Sequence, residues 1–345
     1  YYLSDLFANM QTLSKEFRLN IRNNAAVTEN YYRQKKEKPK SYQANFLLNL
    51  KNIAPLTRLL NHDLSVAENT TIQGTFTSGY TSILRAYGSI DTLWYDNVMF
   101  LHNELDLSAS KISDSTNVLG VMSVSSEKQY FSPAFRSNNL LLEGIWNKNH
   151  IDFSLDADQD GQPNYIRLKG GVDFMSDSTV LVMQPSELKM LDRDWRFTED
   201  NRTVILGTDV RFHDLKLSNG EQYVGLNGLL SEDPGKILSL TADEVDISLL
   251  NVLTKQKFTG ILDARVDISN FYARKSIQNE VNIRDLTIDD FLVGDVSGKN
   301  EWDTVKQKFN INLAIDQKQT RILNLLGEFD ARDKTSPLNL LAQLE

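Results

Sequence analysis

Asp156, Asp158 and Asp160, followed by Gly161, have the spacing with which a calcium loop opens. Such loops set acidic side chains at alternate positions around a hard cation and use a glycine for the sharp turn. The rest of that pattern is missing. The twelfth position, where a calcium loop supplies a bidentate Glu, is Arg167, and the flanks alternate as strands rather than helices. The expectation is an acidic hairpin tip, with Asp156, Asp158 and Asp160 as a weak calcium candidate at most.

Other chemistry-bearing residues are scattered. His62, His102, His150 and His213 lie far apart, and none stands three or four residues from a second metal-capable residue on a recognisable helix. The chain has no cysteine, which removes thiol catalysis, thiolate metal sites and disulfides together. Serines abound, yet there is no G-x-S-x-G elbow and no glycine-rich phosphate loop. Gly170-Gly171 reads as a strand interruption. The sequence therefore predicts no enzyme, no resident metal and no cofactor.

Charge narrows the partners. A net charge of −9 over 345 residues argues against nucleic acid, whose binders need a basic footprint to release counterions. The one basic run, Arg33, Lys35, Lys36, Lys38 and Lys40, contains Glu37 and Pro39 and has no apolar face beside it, so it reads as a solvated loop. No apolar stretch reaches the roughly 18 residues of a membrane helix, and the first residues do not form a signal peptide. A chain that starts at Tyr1 is expected to be an internal piece of a longer protein, with any anchor or export signal outside it.

The elements that must position these residues are mostly strands. Leu3, Leu6, Phe7, Met10, Leu13 and Phe17 fall at helical spacing and predict an amphipathic helix that packs on the remaining fold. A second short helix is predicted over Ile53 to Asp63, with Pro55 in its first turn. From about Thr70 the period changes from 3.6 to 2, apart from an expected helical turn around Glu187 to Leu191. Ile151, Phe153, Leu155 and Ala157 alternate with Asp152, Ser154, Asp156 and Asp158. The return strand sets Ile166, Leu168, Val172 and Phe174 against Tyr165, Arg167, Lys169 and Asp173. Leu262, Val266 and Ile268 repeat the pattern, as do Phe309, Ile311 and Leu313.

One-sided alternation of this kind favours antiparallel sheet with one wet face, and no helical crossover separates the strands. Turn signals lie at Asp160-Gly161, Asn219-Gly220, Asp233-Pro234-Gly235 and Gly298-Lys299-Asn300. The apolar phase flips across His213-Asp214 and again between Ile283 and Leu286, which predicts β-bulges that coil the sheet. Roughly 20 strands at about 4.8 Å each would make a ribbon on the order of 95 Å long. The fold class is thus all-β: an elongated, curled antiparallel or mixed sheet, an open β-groove or β-taco, with short N-terminal helices. Residues 1–66 are expected as a helical or mixed segment packed on the sheet and residues 67–345 as a continuous groove region, with a possible subdivision near 186–200.

From about Trp195 to Ala331 the chain resembles the TamB branch of the AsmA-like family, in its Bacteroidota form. The likeness runs through D-R-D-W-R-F at Asp192 to Phe197 and H-D-L-K-L-S-N-G-E-Q-Y-V-G-L-N-G at His213 to Gly228. It continues through D-I-S-L-L-N at Asp246 to Asn251, F-T-G-I-L-D-A-R-V-D-I-S-N at Phe258 to Asn270, and D-F-L-V-G-D-V-S-G with Trp302. Upstream, Ile53-Ala54-Pro55-Leu56 leading to Thr70-Thr71-Ile72-Gln73-Gly74 belongs to the same likeness.

The resemblance implies an inner-membrane-anchored protein of the Gram-negative envelope that spans the periplasm as a curled sheet with an apolar interior. It implies lipid transport between the membranes, or translocation and assembly of outer-membrane proteins. Its implied partners are phospholipid acyl chains and a barrel assembly factor of the TamA or BamA kind. The residues expected to line such a groove are Ile151, Phe153, Leu155, Ile166, Leu168, Val172 and Phe174, then Leu262, Val266, Ile268, Phe309, Ile311 and Leu313. The competing expectation is a closed β-sandwich or solenoid of a cell-surface adhesion module.

Overall fold

The computed structural model describes residues 3–35, 40–51, 64–113, 115–132, 135–190, 193–252, 256–272, 276–304, 306–330 and 332–344. The chain divides into two compact units, Tyr1–Asp192 and Arg193–Glu345. Among the described residues the first holds two helices, α1 (Leu3–Arg22) and α2 (Ala25–Gln34), then β1 (Tyr42–Leu50), β2 (Leu64–Val66), β3 (Thr70–Ser78), β4 (Thr81–Tyr95) and β5 (Val98–Ile112). It continues with β6 (Val118–Tyr130), β7 (Arg136–Asn147), β8 (His150–Gln159), β9 (Tyr165–Phe174), β10 (Thr179–Met183) and β11 (Glu187–Met190).

The second unit runs through β12 (Arg193–Phe197), β13 (Arg202–Leu206), β14 (Asp209–Ser218), β15 (Tyr223–Leu230) and β16 (Ile237–Asp246). A short 3-10 turn, Ile247–Val252, precedes β17 (Phe258–Ser269), β18 (Ser276–Ile288), β19 (Phe291–Asp303), β20 (Lys308–Gln317), β21 (Thr320–Phe329) and β22 (Leu338–Leu344). Within each unit the strands pair antiparallel, mostly with their neighbours in sequence, because a tight turn suffices to bring each strand back beside the last. The protein is thus mostly antiparallel β-sheet with two short N-terminal helices.

Bulges keep the apolar side chains on one face. In β14, Phe212 faces Gly228 and Leu215 faces Leu226, so one extra residue is inserted where the phase flips. In β18, Ile283 faces Val296 and Leu286 faces Gly294. The sequence does not single out two others, between Asn138 and Leu141 in β7 and between Ala242 and Val245 in β16. The inserted residues Asn139, Asp214, Glu244 and Asp285 all have positive φ, a conformation that costs on the order of 1 kcal/mol for a side-chain-bearing residue. Two of the displaced amides are recaptured from the facing strand: Glu244 N–H donates to Asp263 Oδ1 at 2.8 Å and Asp285 N–H to Asp295 Oδ1 at 2.9 Å.

Four local expectations are corrected. The helical turn around Glu187 to Leu191 is strand β11, which continues the ladder of β9 where β10 ends, with Leu188 opposite Ile166 and buried. Gly298-Lys299-Asn300 is not a turn but lies inside β19, where Gly298 leaves room for the Leu313 side chain and Asn300 Oδ1 accepts from Asn312 N–H in a gap of the ladder. Gly170-Gly171 does not interrupt β9; Gly170 seats the Phe153 ring. The basic run begins inside helix α2, in which no residue is fully buried and which is started by Asn24, whose Oδ1 accepts from Val27 N–H at 3.0 Å. Such a helix leaves no apolar periodicity to read. The helix expected over Ile53 to Asp63 and His62 lie outside the described residues.

Candidate functional site

Ladder register defines the apolar surface of the first unit, because residues directly opposite each other in an antiparallel sheet point to the same side. One row runs across the strands as Phe46, Gly74, Ala86, Leu107, Met122, Gly144, Phe153, Gly170 and Met183. The row beside it reads Leu48, Ile72, Gly88, Leu105, Val124, Leu142, Leu155 and Leu168. Neither row contains a polar side chain. Apart from the buried Gly88 and Gly170 and from Leu48, which is 40% exposed, every residue in them is half-buried. At about 4.8 Å per strand the first row extends about 38 Å.

A third apolar row, Ala44, Phe76, Leu84, Ala109, Gly120, Trp146, Ile151, Val172 and Leu181, borders the first on the other side. Helix α1 covers part of it. Leu6 and Leu13 form a buried cluster with Tyr42, Phe76 and Ala109, joined by Met10, Phe17, Ala44 and Leu84. The Phe17 ring meets Trp146 edge-on at 5.0 Å, and Trp146 in turn contacts Phe174. Asn23, at the end of α1, donates its Nδ2–H to the Phe174 carbonyl at 2.6 Å.

Midway along α1 the contact is ionic. Glu16 is 3% exposed and Lys111 on β5 is 2% exposed. Lys35 Nζ lies 2.6 Å from Glu16 Oε1, Lys111 Nζ lies 3.7 Å from Glu16 Oε2, and Tyr31 Oη donates to Glu16 Oε1 at 3.2 Å. Burial foremost, then the Glu16 charge, pushes the Tyr31 hydroxyl up to about 12 and raises that of Tyr32 as well. Lys111 Nζ also donates to the Ile112 carbonyl at 2.8 Å and to that of Ser115, so the buried ammonium is anchored to the sheet as well as to the helix.

The second unit repeats the arrangement. Leu217, Val224, Ala242, Ala264, Val281, Gly298, Leu313, Leu325 and Ala342 form one apolar row across β14 to β22. The neighbouring row is partly closed: Leu286, Val296 and Ile315 are buried under Ile247 from the 3-10 turn, with Leu262, Leu313 and Leu325 packed against them. On the other side the face is interrupted by an amide pair, in which Asn300 Nδ2–H donates to Asn279 Oδ1 at 2.7 Å.

The groove residues expected from sequence therefore divide. Ile151, Phe153, Leu155, Ile166, Leu168 and Val172 share one face of the β8–β9 hairpin and are half-buried, whereas Phe174 is buried against Trp146 beneath α1. Leu262 and Leu313 join the core under Ile247; Val266, Ile268, Phe309 and Ile311 are half-buried beside it. Sequence reading missed the longest part of the face, on β4 to β6. The alternation Leu105, Leu107, Ala109 and Gly120, Met122, Val124 carries the signal that would have found it.

The calcium candidate is committed elsewhere. Asp158 is held by Asn139 and by Arg167, which together keep its carboxyl below the usual carboxylate range, and Asn138 Nδ2–H donates to Asp160 Oδ1 at 3.0 Å. Among the described residues no group of three His, Asp or Glu side chains is placed to hold a metal ion. No described helix is long and apolar enough to cross a membrane.

Fold and surface together define the class: an antiparallel β protein whose sheet, in each unit, carries a continuous apolar band on one face. No family model, curated protein or solved structure matches the chain.

Proposed function

We propose that the apolar band of the first unit holds lipid acyl chains, and that the chain is part of an envelope protein moving phospholipid across the periplasm of a Gram-negative bacterium. The observation that carries this reading is the pair of rows from Phe46 to Met183 and from Leu48 to Leu168, which contain no polar side chain yet are only partly buried. Each methylene laid on such a surface gains about 0.8 kcal/mol, so a chain is held without any specific pocket residue. A row of about 38 Å exceeds the roughly 15 Å that one leaflet of acyl chains occupies in a bilayer. Lipid headgroups would remain in water beyond the rows. The likeness to the TamB branch supports the same assignment, with an inner-membrane anchor outside this stretch of chain and a barrel assembly factor as partner.

The test is mass spectrometry of an organic extract of the purified protein. Phospholipid at near-stoichiometric amounts is the expected result; a lipid-free protein that also fails to take up added phospholipid overturns it.

A further inference from the structure

We propose that helix α1 is a displaceable cover on the acyl-chain band, held shut by the Glu16 ion cluster; the inference rests on the reading of the band given above. The seat of α1 is the same kind of surface as the open band. Phe76, Leu84, Ala109 and Trp146 beneath the helix belong to one ladder row, which lies directly beside the row that holds Leu107 and Met122. The apolar stripe of α1, from Leu6 to Phe17, thus occupies the place that an acyl chain sliding sideways across the sheet would enter. Lifting α1 would widen the band from two rows to three.

Two further features suit a cover better than a fixed wall. Two clefts follow one another along one side of the helix, between it and α2: one of about 640 Å³ lined by Thr12, Glu16, Ser82 and Lys111, the next of about 850 Å³ lined by Leu19, Asn23, Tyr32 and Asn149. The centre of the contact is also ionic where an apolar side chain would pack more tightly. Glu16 meets Lys35 and Lys111, while the two lysines also donate to the carbonyls of Ser113, Ile112 and Ser115, so each keeps partners off α1 when the helix lifts. An ion cluster of this sort specifies one seated register more than it adds stability, which is what a contact that must open and remake requires. Elements that move are drawn from the least stable part of a fold.

The absence of cysteine makes a direct test available. Thr12→Cys and Ser82→Cys line the same cleft from helix and sheet, and a short bismaleimide joining them would pin α1 down. Uptake of a dansyl-labelled undecanoic acid is followed by stopped-flow fluorescence. The pinned protein should take up the probe about tenfold more slowly than the unjoined double variant, and Glu16→Gln, which leaves Lys35 and Lys111 without their carboxylate, should speed uptake. Amide exchange supplies a readout independent of lipid: α1 amides should exchange through an opening that leaves β5 and β6 protected, and pinning should abolish it.

Equal uptake by pinned and free protein overturns the cover while leaving the acyl-chain reading intact. If no form takes up the probe, the acyl-chain reading falls, and the cover is judged by exchange alone. There, α1 amides that exchange only with unfolding of the whole unit overturn it, and earlier opening sustains it.

Discussion

Phe153 and Gly170 face each other across the β8–β9 ladder, and a Cβ on Gly170 would stand 2.4 Å from Cζ of the Phe153 ring. Phe46 and Gly74 repeat the relationship at 2.5 Å at the far end of the same row. Each glycine is a seat in which a large ring lies down against the sheet, lowering the floor of the band and covering backbone that would otherwise face water. Gly170→Ala should therefore destabilise the first unit by about 1–3 kcal/mol, the usual penalty of overpacking. Phe153→Leu in the same chain should recover part of the loss. Urea melts of the single and double variants check both.

The half-exposed rows and the covered row should respond differently to charge. Leu168→Glu places a carboxylate where water reaches it and should lower stability by about 1 kcal/mol, while reducing the phospholipid that co-purifies. Phe76 is 0% exposed under α1, and Phe76→Glu should cost about 3–5 kcal/mol or prevent folding. Lys169→Glu, on the wet face beside Leu168, should shift the melt by about 0.5 kcal/mol or less. A collapse of Leu168→Glu as deep as that of Phe76→Glu would place Leu168 in a dry core.

Calcium should find no strong site at the acidic hairpin tip. With Asp158 tied to Asn139 and Arg167 and Asp160 tied to Asn138, a cation would have to break these contacts to collect its ligands. Calorimetric titration should give no affinity tighter than about 10 µM, the strength that separates a built site from scattered carboxylates.

His150 should make stability depend on pH. Its Nδ1 lies 2.7 Å from Asp173 Oδ1 and its Nε2 lies 3.1 Å from Asp152 Oδ1. The Asp173 hydrogen bond chiefly, with that of Asp152, raises the imidazole above its ordinary value, partial burial opposing them. A raised folded value means the fold binds the proton more tightly than the unfolded chain does. The contribution is complete below about pH 6.5 and is lost as pH climbs through the folded value. The urea midpoint should fall as pH rises above about 6.5, and Asp173→Asn should flatten that fall.

Much of the fold was legible because strand signals are local. The face of each residue in β8, β9, β17 and β20 follows from period-two alternation, and the bulges at Asp214 and Asp285 announce themselves as phase flips within a few residues. The turn expected at Gly298-Lys299-Asn300 failed for the converse reason. A glycine that seats a side chain from the next strand, as Gly298 seats Leu313, has the same local appearance as one that turns the chain.

The sequence by itself determined that these strands are amphipathic and which side chains share a face. It could not determine which part of that face is covered, because a cover is a contact between segments far apart in the chain. Phe174 and Leu168 read alike in the alternation of β9, yet one is buried beside Trp146 and the other is only half-buried. The difference arises because α1 ends over Phe174, where Asn23 reaches a carbonyl 151 residues away. Glu16 likewise reads as one of several polar residues on a helix until Lys111 of β5 is brought beneath it. Local periodicity records what each strand prefers; only the tertiary fold decides where the helix lies, because its seat is assembled from Phe76, Ala109, Gly120 and Trp146 on four different strands.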